Sequence, residues 1–145
     1  MKKVSELLRE KSNRVWSVSP DTSVYDAIAL MAEKNIGALL VMSDSKLVGI
    51  MSERDYARKV VLAGRSSRET KVSDVMASRV IFVKPSETVE ECMALMTNKR
   101  IRHLPVMADN ELVGLVSIGD LVKAVIEEQK FIIGQLENYI TGATS

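Results

Sequence analysis

Shifted by 65 residues, the sequence aligns with itself without a gap: residues 15–55 fall on residues 80–120, and 18 of 41 positions are identical. Pro20/Pro85, Val24/Val89, Met31/Met96, Ile36/Ile101, Val41/Val106, Gly49/Gly114, Ser52/Ser117 and Asp55/Asp120 are among the matches. The leaders correspond as well. Val4-Ser5-Glu6-Leu7-Leu8 resembles Val72-Ser73-Asp74-Val75-Met76, with three extra residues before Val15 in the first copy. A solenoid needs about three or more copies to build a continuous core. Two copies suit a pair that buries one shared face around a pseudo-twofold axis. The chain divides at 1–66, with a leader helix, and 67–145, with an extended C-terminal helix.

Each copy reads as βαββα, which makes the fold class α+β. A short strand over 15–18 or 80–83 is closed by Pro20 or Pro85. A helix follows, with apolar Val24, Ala27, Ile28 and Met31 at i, i+3, i+4 and i+7; Val89, Cys92, Met93 and Met96 repeat the pattern. Ser23 with Asp26, and Thr88 with Glu91, have capping-box spacing. A buried strand over 38–42 or 104–107 comes next. Polar turns, Ser43-Asp44-Ser45-Lys46 and Ala108-Asp109-Asn110-Glu111, lead into strands over 47–51 and 112–116. A second helix starts at Ser52 or Ser117, and the last one runs over about 118–139. Residues 65–71 are the polar link between copies.

Composition narrows the partners. A hydrophobic content of 46% with 27% charged residues is that of an ordinary globular chain. A net charge of +1 supplies no field to hold nucleic acid, and 4% aromatics give no stacking platform for single strands. The longest apolar stretch, 38–42, cannot span a bilayer. The first ten residues carry Lys2, Lys3, Glu6, Arg9 and Glu10 and lack a signal-peptide core. We therefore expect no nucleic acid, no membrane and a cytoplasmic setting; an organellar protein trimmed of its presequence would look the same. One cysteine, Cys92, and one histidine, His103, cannot close an internal disulfide or fill a zinc shell, so no metal is expected. The chain also lacks an activated nucleophile or a catalytic carboxylate pair, which argues against an enzyme.

Two heptapeptides sit at matching positions, Gly49-Ile50-Met51-Ser52-Glu53-Arg54-Asp55 and Gly114-Leu115-Val116-Ser117-Ile118-Gly119-Asp120. Both resemble the Gly-h-x-[Ser/Thr]-x-x-Asp signature of the cystathionine-β-synthase (CBS) domain family in its paired form, the Bateman module. The His103-Leu104-Pro105-Val106 run and the strand–Pro–capped-helix start add to the likeness, which covers about 4–123. It is similar to stand-alone CBS pairs, in which the module is the whole product. The resemblance implies two CBS repeats facing each other across the pseudo-twofold. It also implies two clefts able to take adenosine ligands: AMP, ADP, ATP, NAD or S-adenosylmethionine.

Ser52 with Asp55, and Ser117 with Asp120, have two readings. One is a capping box, Ser at the N-cap and Asp three residues on. The other adds a ligand: the hydroxyl and amide at a helix N-terminus meet a phosphate, and a short carboxylate accepts a ribose diol. The resemblance assigns the second set of roles. Lys99-Arg100-Ile101-Arg102-His103 is the densest positive run, at the entry of a buried strand where the family places phosphate contacts. The first copy has Lys34-Asn35-Ile36-Gly37-Ala38 there and has Arg54 where the second has Gly119, so the clefts differ. One is expected to combine Ser52, Arg54 and Asp55 with Ile101, Arg102 and His103. The other would combine Ser117, Asp120 and Arg100 with Trp16, Ile36, Gly37 and Ala38. The first is favoured for its positive charge.

The leading expectation is thus a nucleotide sensor for AMP, with NAD, ADP or ATP as variants, read by a regulated partner protein. A ligand-free structural or interaction module acting through dimerisation is the alternative. Homodimerisation is expected either way, because residues 126–140 carry more apolar side chains than one short chain covers.

Overall fold

The computed structural model describes residues 2–11 and 15–141. Residues 12–14, the three extra positions of the first copy, lie outside the described residues, as do the two ends. The order is α1 (Val4–Glu10), β1 (Ser17–Val18), α2 (Val24–Lys34), β2 (Ala38–Ser43), β3 (Lys46–Ser52) and α3 (Glu53–Tyr56), then α4 (Val89–Lys99), β4 (His103–Ala108), β5 (Glu111–Ser117) and α5 (Ile118–Thr141). A π-helical turn, Ala57–Val61, extends α3, where the sequence pattern had suggested an ordinary helix, and a 3-10 turn, Val72–Asp74, opens the second copy.

The repeat survives into the hydrogen bonding. β2 and β3 pair antiparallel with a bulge between Val41 and Met42; β4 and β5 do so with a bulge between Val106 and Met107. Both turns place two residues at positive φ, Asp44-Ser45 and Asp109-Asn110, as a type I′ hairpin turn demands. β1 lies parallel to β2. Its counterpart is shorter than the sequence suggests: only Val83 bridges Val106, because Pro105 accepts from Val83 but has no amide to return.

The leaders are exchanged. Val4, Leu7 and Leu8 of α1 pack in the core of the second copy, with Val83, Val89, Cys92, Met96, Leu104 and Leu121. Val72 and Val75 pack in the first core, with Val24, Met31, Leu39, Met51 and Val60. The helix starts show the same crossing. The Val89 amide donates to the Lys2 carbonyl, and the Val24 amide to the Thr70 carbonyl. Two glycines make this docking possible. A Cβ on Gly114 would lie 2.6 Å from a Leu8 methyl, and one on Gly49 would collide with the Met76 sulfur. The link is also built in: Thr70 is buried and donates to the Ser66 carbonyl at 2.6 Å.

Candidate functional site

Both Ser-x-x-Asp segments form the box their spacing allows. Asp55 Oδ2 accepts from the Ser52 amide at 2.9 Å and from its hydroxyl at 3.0 Å; the Asp55 amide donates back to Ser52 Oγ at 3.2 Å. Asp120 Oδ2 accepts from the Ser117 amide at 2.8 Å, and Ser117 Oγ accepts from the Asp120 amide at 3.2 Å. Each helix start is then tied to the entry of its own copy's hairpin: the Glu53 amide donates to the Gly37 carbonyl, just before β2, and the Ile118 amide to the Arg102 carbonyl, just before β4. Cys92 is fully buried in the second core, where desolvation pushes its thiol up to about 11, so it is an inert core residue.

A cleft of about 540 Å³ opens between the copies, within the usual range for small-molecule sites. It brings together Ser52, Arg54 and Asp55 from the first copy with Ile101, Arg102 and His103 from the second, the grouping that the sequence suggested. Arg100 and Gly37 line this cleft too, although the sequence reading set them with Ser117 and Asp120. The reason is geometric: Arg100 and Arg102 flank the same α4–β4 junction, so both reach the same opening. Sequence reading missed Ile50, Glu53, Arg58, Lys59 and Ala77. Arg58 and Lys59 fall one helical turn after Arg54 and Asp55, a spacing that could have found them. Ala77 arrives through the exchanged leader, for which there is no local signal.

The electrostatics are one-sided. Five cations, Arg54, Arg58, Lys59, Arg100 and Arg102, face two carboxylates, Glu53 and Asp55. Lys59 is engaged, 3.4 Å from Asp55 Oδ1 and donating to the Val75 carbonyl at 2.9 Å. The guanidinium groups of Arg54, Arg58, Arg100 and Arg102 have no hydrogen-bond or ion-pair partner among the described residues. His103 is held below the usual imidazole range, chiefly by burial, with Asp120 and Glu53 pulling the other way. A Cβ on Gly37 would meet the imidazole at 3.6 Å, an ordinary contact, and Glu53 Oε1 at 3.2 Å, so the glycine makes room chiefly for the Glu53 carboxylate.

Arg100 is conformationally out of place. It caps α4 in the left-handed region at φ 55° and ψ 44°. Its counterpart Asn35 caps α2 at φ 55° and ψ 49°. The fold fixes this backbone in both copies. Asn tolerates it well and Arg does not. Arg100→Asn should therefore raise the stability of the free protein by roughly 0.5–1 kcal/mol while removing a cation from the cleft. A denaturant melt and an AMP titration read the two effects separately, and they should carry opposite signs.

The remaining predicted site residues lie elsewhere. Trp16 packs against the first core with the Lys34 ammonium 4.3 Å from its ring centroid. Ala38 is buried, and Ile36 lines a smaller hollow with Ile28, Asn35 and Tyr56. At Asp120 the structure adds a residue that sequence reading missed. Lys11 donates to Asp120 Oδ2 at 2.8 Å and to the Leu115 carbonyl at 2.9 Å. Burial would raise the Asp120 pKa, but the Lys11 hydrogen bond and then the Ser117 amide hold it below the usual carboxylate range. Among the described residues no group of three or more His, Cys, Asp and Glu could hold a metal, and no helix is long and apolar enough to cross a membrane.

Fold and site define the class: paired βαββα repeats, each completed by the other's leader, with a cation-lined cleft between them. The chain belongs to the CBS domain family, whose model matches residues 4–62 and again 72–127. It is similar to the CBS domain-containing protein CBSX3, mitochondrial, of Arabidopsis thaliana: 42% identical, over 96% of this chain and 72% of the relative. Among solved structures, a protein with CBS domains from Burkholderia ambifaria MC40-6 is 52% identical, with a TM-score of 0.86 over 88% of this chain and 96% of its own. CBSX2 in complex with AMP is 28% identical, with a TM-score of 0.72 over 89% of this chain and 99% of its own.

Proposed function

We propose that this CBS pair is a regulatory module that binds an adenine nucleotide, AMP first, in the Ser52–Asp55 cleft and signals occupancy to a partner protein. The observation that carries the reading is the set of four unpaired guanidinium groups around one cleft on a chain of net charge +1. Like charges gathered in excess of their counter-charges cost stability, and a phosphate removes that cost through charge-assisted bonds. In this reading Arg54, Arg100 and Arg102 hold phosphate with the Ser52 hydroxyl. Asp55 takes the ribose diol, and Ile50 and Ile101 give adenine an apolar bed. The AMP complex of CBSX2 supports the ligand class. NAD, ADP and ATP share the adenosine half and are the variants to test. Binding calorimetry with AMP, GMP and adenosine tests the reading; equal or absent heats for all three would overturn it.

One observation favours the alternative, a ligand-free interaction module. Asp55 Oδ2 already accepts two hydrogen bonds from Ser52, so the box serves the fold without a ligand. In either reading the module is a homodimer. Phe131, Ile132, Ile133, Leu136, Tyr139 and Ile140 of α5 are exposed, Tyr139 at 86%. Such a patch marks an association surface, and a twofold pair is the commonest closed solution. Light scattering at micromolar concentration should give twice 16.0 kDa, and Ile133→Glu with Leu136→Glu should halve it. CBSX3 is mitochondrial by name, so the cytoplasm is no longer the default compartment.

A further inference from the structure

The two copies treat equivalent groups differently. In the first, the Ile50 carbonyl accepts from the Ala77 amide at 2.9 Å, so the backbone of the second leader closes that strand edge. In the second, the equivalent carbonyl is that of Leu115. There the first leader is a helix, α1, and its C-cap residue is Lys11. The Lys11 ammonium takes the Leu115 carbonyl at 2.9 Å and continues to Asp120 Oδ2 at 2.8 Å. The counterpart of Lys11 in the second leader is Arg79, which makes no such contact among the described residues.

The charge supply differs in the same sense. The positions equivalent to Arg54, Arg100 and Arg102 are Gly119, Asn35 and Gly37, none of them cationic. Lys11 is thus the cation placed on Asp120, and it is committed to two protein acceptors. The Asp120 side chain is 27% exposed and that of Lys11 37%, so water screens the pair only in part. A ribose diol that takes Asp120 Oδ2 must displace an ammonium hydrogen-bonded to that oxygen at 2.8 Å and would leave the Leu115 carbonyl without its donor, whereas at Asp55 the Lys59 ammonium stands off at 3.4 Å, on Oδ1.

We propose that Lys11 is an internal plug that occupies the Asp120 carboxylate, the ribose acceptor expected of a second cleft, so that the module keeps one open adenosine site per chain. This rests on the reading of the first cleft as a nucleotide site. The contact also ties the choice of site to α1, because the helix that carries Lys11 is packed into the second core.

The test follows the backbone amides of Ser52 and Asp55 separately from those of Ser117 and Asp120 by NMR, during titrations with AMP and with adenosine. In the wild-type chain only the first pair should titrate. Lys11→Met keeps the aliphatic stem and removes the ammonium; the second pair should then titrate saturably with adenosine, at least about tenfold more tightly than in the wild type. Affinity at the first pair should stay within about twofold of the wild type. Lys11→Gln, which retains a donor for the Leu115 carbonyl, gives the same answer if Lys11→Met does not fold. Equal titration of both pairs in the wild type would overturn the plug, as would a silent second pair in the folded variants while the first pair responds. Silence at both pairs in every protein would instead overturn the nucleotide reading, and the plug with it.

Discussion

AMP at about a hundred times its dissociation constant should stabilise the wild-type chain by about 2.7 kcal/mol through mass action. For a domain of this size that is a rise of roughly 5–10 °C in melting temperature. GMP should give less, and added salt should shrink the AMP shift, because the four guanidinium groups stand in solvent-accessible positions. Asp55→Ala should abolish most of the shift. It also removes the acceptor of two Ser52 hydrogen bonds, so the free variant melts lower, by an amount in the capping range of about 0.5–2 kcal/mol. The ligand-induced difference is therefore the quantity to compare, not the melting temperature. Asp120→Ala should lose little of the shift, since Lys11 hydrogen-bonds its carboxylate at 2.8 Å, while Lys59 stands 3.4 Å from that of Asp55. Arg54→Ala should weaken AMP more than adenosine, because its partner in this scheme is phosphate. If Asp55→Ala and Asp120→Ala both kept the full wild-type shift, the ribose role would be wrong and the capping role would stand alone.

What the sequence made legible is what short-range chemistry determines. The caps at Ser52 and Thr88, the polar turns at 43–46 and 108–111 and the apolar stripe through Val24, Ala27 and Met31 are local patterns, and each is realised. The cleft was half legible for the same reason. Arg102 and His103 had to face Ser52 and Asp55 once the repeats were paired. Arg100 was assigned across the axis because its direction depends on a left-handed cap that a sequence with Arg at that position does not advertise. The Lys11 contact spans 109 residues, and its cause is the exchange of leaders. Self-alignment shows that two segments are equivalent. It does not say whether each packs on its own copy or on the other, since both arrangements bury the same residues.

That exchange makes the second large prediction. Leu7 and Leu8 are 6% and 8% exposed and belong to the second core, although they precede the first copy in the chain. Truncating a buried leucine to alanine costs about 2–5 kcal/mol, through lost transfer energy and the cavity left behind. Leu8→Ala should therefore be among the most damaging single changes outside the strands. Its location is the informative part. Amide hydrogen exchange should accelerate first in β4, β5 and α4, around Leu104, Val116 and Cys92, while β2 and β3 keep their protection. Val75→Ala should produce the mirror result, loosening β2, β3 and α2 with a smaller cost for its smaller side chain. Gly114→Ala separates crowding from cavity formation. Its new methyl meets Leu8 at 2.6 Å, so it should push α1 away from β5 at about 1–3 kcal/mol. In a Leu8→Ala background the same glycine change should cost less, because the cavity receives the methyl; double-mutant coupling of that sign requires the two residues to touch. If Leu8→Ala instead loosened the first copy, the leaders would pack in chain order and the exchange would be wrong.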